Sequence, residues 1–432
     1  MAASAERKRM PPDGSTAFML RGLIESGGLH SAYQPIVDIR SLAVVGYEAL
    51  ARGPEGSPLA TPADLFGAAR RGGQLAELDR ACREAAIQGA WSSGLGTGAA
   101  LFVNVEPDAV DGDDLFSDVA LEEIRASRLR VFIEVTERAL TARPAELLAT
   151  IERARRAGVG VALDDVGADD RSLALMPFLR PDVVKLDLGL IQDSANAKVA
   201  RTVNAIAAEA ERTGALVLAE GIETDAHLFR AAAVGAQLGQ GWLFGRPGPL
   251  PVSVPEALDA EVPVIHPAPL LHARATPFSH VAEQRPCRRG DKKLLLRLSR
   301  QLEAQAAEIG HEAVVLACFQ HERFFTEAQA EGYRKLAERV AFVGVFGEGL
   351  DAQPAEGVRG ADLRGHSELG REWNVLVVGP HFAGGFVARD LGDEGPDEAR
   401  RFDFAMTFER ELVTAASGIL MHHVSPSADV LV

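Results

Sequence analysis

Cysteine is scarce in this 432-residue sequence: Cys82, Cys287 and Cys318 lie far apart, and no C-x-x-C pair is present. An odd, scattered set excludes a disulfide-stapled miniprotein and points to a reducing, cytoplasmic compartment. Basic residues are also in deficit. Lys and Arg number 45 against 61 Asp and Glu, a formal net charge of −16. Such a surface repels phosphate backbones, so no DNA partner is expected; a small phosphate ligand fits only where metal ions cancel the local acidity. No stretch reaches the ~18 consecutive apolar residues of a membrane helix. The segment from Met1 to Asp13 carries basic side chains but no apolar run behind them. It is therefore not a secretory signal, and 1–16 reads as a loose tail.

What is present is the balance of a globular protein, with hydrophobic residues at 47% and charged residues at 25%. At ~100–200 residues per domain, the length implies two or three domains. From residue 32 to 249, apolar strand-like runs alternate with Ala-rich helical patterns. Strands are predicted over 33–39, 44–51, 101–105, 131–135, 160–163, 183–186, 216–219 and 238–243. Helical stretches fall over 62–69, 75–91, 147–157 and 197–213. Roughly eight strands with helices between them imply a mostly parallel sheet closed as a β/α barrel, residues 17–250, and not an open sheet. Prolines then crowd together over 251–290. That segment reads as an extended connector. Residues 291–425 read as a smaller α/β domain: a leucine-spaced amphipathic helix over 291–309, then strands over 312–318, 340–346, 373–378 and 402–407.

The barrel's polar residues fall at its strand ends. Period-two alternation puts Glu48, Leu50 and Arg52 on one face of their strand. Asn104 ends Leu101-Phe102-Val103, Glu134 sits within Val131–Val135, and Asp164-Asp165 close Val161-Ala162-Leu163. Lys185, Glu220 and Gln240 occupy the corresponding places further on. One acid at a strand end is an ordinary cap or solvated loop residue; repetition on nearly every strand is not, because buried charges need partners or metals. Parallel barrel strands converge at one mouth, so these carboxylates and the amide form a hard, oxygen-rich set without His or Cys. Magnesium or manganese suits it, and paired aspartates suit two ions.

Tyr47-Glu48-Ala49-Leu50-Ala51-Arg52 resembles the signature of EAL-domain cyclic di-GMP phosphodiesterases. The resemblance extends through Tyr33-Gln34-Pro35-Ile36, Phe102-Val103-Asn104-Val105, Glu134-Val135-Thr136-Glu137, Val184-Lys185-Leu186-Asp187, Ala219-Glu220-Gly221-Ile222-Glu223 and Gln240-Gly241-Trp242-Leu243-Phe244-Gly245-Arg246-Pro247. It implies a TIM-like barrel that hydrolyses cyclic di-GMP to pGpG with two magnesium or manganese ions. By that resemblance Glu48, Asn104, Glu134 and Asp164 hold one ion, and Asp164 with Asp165 the second. Lys185, Glu220 and Gln240 act with Asp165 around the water. Gln34, Leu50 and Arg52 contact substrate, Glu223 supports the site from behind, and Glu137 anchors the loop after the Asp pair.

That loop departs from the family pattern. Phe-Gly followed by a small-residue and Tyr-Ser-Ser run is replaced by Val166-Gly167-Ala168-Asp169-Asp170-Arg171-Ser172-Leu173. The alternative it raises is an EAL barrel that binds cyclic di-GMP without turning it over. Nothing resembles a cyclase site.

The C-terminal stretches Phe324-Phe325-Thr326, Val345-Phe346-Gly347, Glu372-Trp373-Asn374-Val375, Gly379-Pro380-His381-Phe382 and Arg401-Phe402-Asp403-Phe404 resemble the DICT sensory domain. The resemblance implies regulation of the barrel by a signal or protein it does not name, and leaves room for a homodimer. His381, Cys318 and the Phe-rich pattern read as structural residues.

Overall fold

The computed structural model describes residues 13–95, 98–106, 109, 115–136, 142–167, 172–192, 196–251, 260–266, 275–366, 368–393 and 396–425. Glu137 and the loop residues Asp169, Asp170 and Arg171 lie outside them.

Eight strands close into a barrel in chain order. They are β1 (His30–Asp38), β2 (Val44–Arg52), β3 (Ala100–Asn104), β4 (Arg130–Thr136), β5 (Gly160–Val166), β6 (Val183–Leu186), β7 (Leu216–Ala219) and β8 (Leu238–Gln240). β1 runs antiparallel to both β2 and β8. The chain dictates this at the first junction: residues 39–43 are too few for the crossover that a parallel pair needs. The parallel strands read as continuous apolar runs because helices cover them outside and side chains fill the lumen. Lys185 is the exception within fully buried β6.

Local chemistry sets the flanking helices. Thr61 accepts from the backbone of Asp64 and Pro62 takes the first helical position, so helix Pro62–Gly72 begins there. Gly73 ends it in the left-handed conformation, at φ 63°. Asn196 and Gly214 bracket Ala197–Thr213 in the same way.

The C-terminal sheet has seven strands, ordered β12-β11-β10-β13-β14-β15-β9. They are β9 (Arg288–Asp291), β10 (Val314–His321), β11 (Phe342–Glu348), β12 (Arg359–Asp362), β13 (Glu372–Val378), β14 (Ala383–Asp390) and β15 (Arg401–Thr407). Helices Lys292–Ile309 and Glu327–Ala337 bury Leu295, Leu302, Tyr333 and Leu336 with Val315, Val375 and Phe386 of the sheet. Helix Arg410–Met421 supplies Val413 to a second cluster with Val378 and Ala383.

The connector expected over 251–290 is shorter than its prolines suggest. Pro277 opens a helix, Pro277–Ala282, at a position where a missing N–H leaves nothing unsatisfied. Thr276 and Ser279 form a capping box there, and Phe278 N donates to the buried Glu372 carboxylate at 3.0 Å. The segment ends in β9, an edge strand paired with β15.

By compactness the chain divides into Met1–Val135, Arg153–Ala162 and Leu218–His266 as one unit, and Thr136–Glu152, Leu163–Val217 and Pro267–Val432 as the other. In the first, Glu261 N donates to Asp38 Oδ2 at 3.0 Å and Arg155 Nη1 to the His266 carbonyl at 3.1 Å. In the second, helix Ser172–Leu179 meets the C-terminal sheet: Phe178 packs on Val378, Ala383 and Val413, and Arg180 pairs with Glu411.

Candidate active site at the barrel strand ends

β2 holds Glu48 opposite Gln34 of β1, and the two share a hydrogen-bonding amide. Gln240 Nε2 donates to Glu48 Oε2 at 2.6 Å and to Gln34 Oε1 at 3.2 Å. Gln34 in turn donates to the Gly245 carbonyl at 3.2 Å. From the other side Asn104 Nδ2 donates to Glu48 Oε1 at 3.1 Å. Both oxygens of the buried Glu48 are therefore oriented by amides, which fixes the carboxylate without neutralising it. Register places Asn104 opposite Glu134 on β4, whose side chain is 1% exposed.

β5 ends in Asp164 and Asp165. Lys185 Nζ, 1% exposed, lies 2.9 Å from Asp164 Oδ1. Asp165 has φ 57°, a left-handed conformation. Such a backbone costs roughly 1 kcal/mol or more outside glycine, and Asp tolerates it better than most residues. It lets two successive carboxylates leave the strand where a regular pleat would send them to opposite faces. Asp164, Asp165 and Glu220 each present a carboxylate oxygen, all within 4.8 Å of one another. Three like charges so close repel strongly, and an oxygen-only donor set with no sulfur or imidazole fits a hard divalent cation. The residues present therefore fit the ions expected from the sequence.

Other expected residues take less committed places. Arg52, at the end of β2, is half-buried and donates to the Ala51 carbonyl at 2.8 Å, and Leu50, earlier on the same strand, is half-buried as well. Glu223 is exposed, and its carboxylate makes no hydrogen bond among the described residues; its backbone N–H donates to His227 Nδ1. The hydrogen bonds of Arg52 and Glu223 thus lead away from Glu48 and Asp164.

Two supports lie outside the set read from the sequence. Asp187 N donates to the Val166 carbonyl at 3.1 Å and its Oδ1 accepts from Gly189 N at 2.8 Å, tying the end of β6 to the chain just past Asp165. Gly241 sits where a Cβ would lie 2.1 Å from the Ile222 carbonyl oxygen. Only glycine allows the turn after Gln240 to seat against the Glu220 segment. An aspartate beginning a short helix and a glycine after a strand are visible signals, but both have many structural uses.

Fold and donor set together define a TIM-like barrel with an acidic, metal-competent site at its strand ends. The EAL domain profile matches residues 18–247, and the chain belongs to that family. Residues 278–391 match DICT, the sensory domain of diguanylate cyclases and two-component systems. Two relatives from Pseudomonas aeruginosa are the cyclic di-GMP phosphodiesterases RocR, 28% identical over 242 residues (54% of this chain, 61% of RocR), and NbdA, 32% identical over 241 residues (54% and 30%). The chain spans 29% to 61% of the length of the first curated relatives it matches. Similar solved structures include Klebsiella pneumoniae BlrP1 with calcium and cyclic di-GMP, at 30% identity and TM-score 0.45 over 51% of this chain and 56% of that one. A second is the PaMucR phosphodiesterase with cyclic di-GMP, at 28% identity and TM-score 0.46 over 54% and 98%. Among the described residues no helix is long and apolar enough to cross a membrane.

Proposed function

We propose that the barrel hydrolyses cyclic di-GMP to pGpG with magnesium or manganese, and that the C-terminal domain regulates it. The observation that carries the reading is the group Asp164, Asp165 and Glu220 beside the buried Lys185 ammonium. Glu48, Asn104, Glu134 and Asp164 are assigned to one ion, and Asp164 with Asp165 to the second. Bound there, the ions supply Lewis acidity toward phosphoryl oxygens and lower the pKa of water. The chain's own part is positioning. Gln240 and Asn104 hold Glu48 in one orientation, so little reorganisation accompanies binding. Lys185 is fixed by its ion pair, orients the attacking water and offsets charge that develops on the phosphate. Glu220 and Gln240 flank that water. Arg52 offers a planar fork to a phosphate, Gln34 and Leu50 contact the substrate, Glu137 anchors the loop, and the exposed Glu223 stands behind the site without a hydrogen bond to its carboxylate among the described residues.

Regulation is supported by the position of helix Ser172–Leu179. It begins directly after the loop that follows Asp165, and Phe178 and Arg180 at its far end meet the C-terminal domain. A second reading, a receptor that binds without turnover, is favoured by that loop alone, where Asp169 and Asp170 add negative charge in place of the family's aromatic residues.

Lys185→Ala separates chemistry from binding. Turnover with manganese falls strongly, while affinity for cyclic di-GMP, titrated calorimetrically in calcium, stays within about tenfold because the proposed role is at the water. Complete loss of binding assigns Lys185 to ligand clamping and removes it from the chemistry.

A further inference from the structure

The C-terminal domain contains a groove of about 640 Å³ between helices Lys292–Ile309 and Glu327–Ala337, on the face of the sheet opposite helix Arg410–Met421. Its volume lies within the range of small-molecule sites, roughly 300–1,000 Å³. Phe319, Tyr333 and the half-buried Trp373 line its inner wall. Phe319 and Tyr333 meet edge to face, their ring centroids 5.4 Å apart. Such a pair adds a favourable contact beyond the area it buries.

The charges around the groove do not cancel. Glu303 projects from the first helix, and its hydrogen bond among the described residues comes from a neutral donor, Tyr333 Oη at 2.7 Å. Burial pushes the Glu303 carboxyl above the usual carboxylate range, against the opposing effects of Tyr333 and Arg300. At the mouth, Lys335 pairs with Glu331 at 3.0 Å and Glu338 pairs with Arg334. Arg300, one turn before Glu303, and Arg339 line the groove and make no ion pair among the described residues. One half-buried acid and two guanidinium groups without ion pairs among the described residues thus line the same groove as the aromatic wall, so charges of both signs face one cavity.

We propose that this groove binds a small zwitterion of the amino-acid type, its ammonium at Glu303, its carboxylate at Arg300 and Arg339, and its apolar side chain on the aromatic wall. A simple amine leaves the arginines unmatched, and a simple acid leaves the half-buried Glu303 carboxylate without a cation. The groove shares no residue with the barrel's strand ends, and the inference holds whichever reading of the barrel is correct.

The test is calorimetric titration of the full chain with L-phenylalanine and L-leucine, beside phenethylamine and 3-phenylpropanoate, which each lack one charge. At least one amino acid binds with a submillimolar Kd, and each single-charge analogue binds at least about tenfold more weakly. Glu303→Gln and Arg300→Gln each weaken amino-acid binding at least about tenfold. Arg300 is exposed, so its variant reads the site even if Glu303→Gln fails to fold. The proposal is overturned by no heat from either amino acid up to about 10 mM. It is equally overturned if an analogue matches the better-binding amino acid, or if Arg300→Gln leaves Kd unchanged.

Discussion

The barrel and the C-terminal domain treat charge in opposite ways. At the barrel strand ends, carboxylates are gathered within 4.8 Å of one another and a lysine is buried to 1% exposure beside them. In the C-terminal domain, charges of opposite sign meet in pairs at several places: Arg400 binds Asp390, Asp397 and Gln320, Arg401 binds Asp393 through two atoms, and Arg289 meets Asp403. Like charges held together are costly unless a ligand offsets them, whereas paired surface charges contribute little either way. The contrast marks the barrel strand ends as a place where a cation is needed and the paired C-terminal charges as framework, with the Glu303 groove the departure.

The sharpest way to break this comparison is Asp164→Asn. It removes one charge from the carboxylate group and, at the same time, a partner of a buried ammonium. Turnover of cyclic di-GMP falls at least ~100-fold, or ~2.7 kcal/mol, and thermal stability falls as well. Retention of more than about a tenth of wild-type activity overturns the proposed assignment of Asp164 to both ions.

Phe178 and the Arg180–Glu411 pair join the helix behind the Asp loop to the C-terminal domain, the ion pair through helix Arg410–Met421. Phe178→Ala combined with Glu411→Gln changes kcat at least ~5-fold while leaving calcium-supported binding intact, the low end of ordinary allosteric coupling. An unchanged kcat means this contact carries no regulation.

A smaller effect belongs to the C-terminal domain alone. Burial, with His366 and His422 nearby, lowers His423 from 6.5 to about 4. A depressed histidine is neutral when folded, so its contribution is present above pH 6.5 and is lost as pH falls toward about 4. Discounted for solvent screening, the loss is ~1 kcal/mol, or ~2–4 °C in Tm. His423→Gln flattens that part of the Tm profile. An identical acid-side slope in wild type and variant contradicts the assignment.

The same contrast explains what is legible in the sequence. β5 and β6 are readable because short apolar runs end in, or enclose, charged residues that a core does not tolerate by accident. The lysine in fully buried β6 carries that signal. β14 is hidden because Gly384 and Gly385 interrupt its pattern. Both sit in close packing: a Cβ at Gly384 would lie 2.9 Å from the Leu302 side chain, and one at Gly385 would lie 3.1 Å from that of Leu376. The edge strand β9, Arg-Arg-Gly-Asp, has no apolar residue at all and is held by β15. Within the site, the types of residue are legible, but the amide bridge from Gln240 to Glu48 and the left-handed backbone at Asp165 are not. The bridge depends on barrel closure, which brings together side chains 192 residues apart. The backbone at Asp165 depends on how β5 ends against its neighbours, which no local pattern encodes.

The central claim is tested most directly by incubating the purified full chain with cyclic di-GMP and manganese and measuring pGpG. We predict manganese-dependent appearance of pGpG, abolished by a chelator and restored by adding metal back. Tight binding of intact cyclic di-GMP with no pGpG at saturating manganese contradicts the claim, and leaves the barrel a receptor.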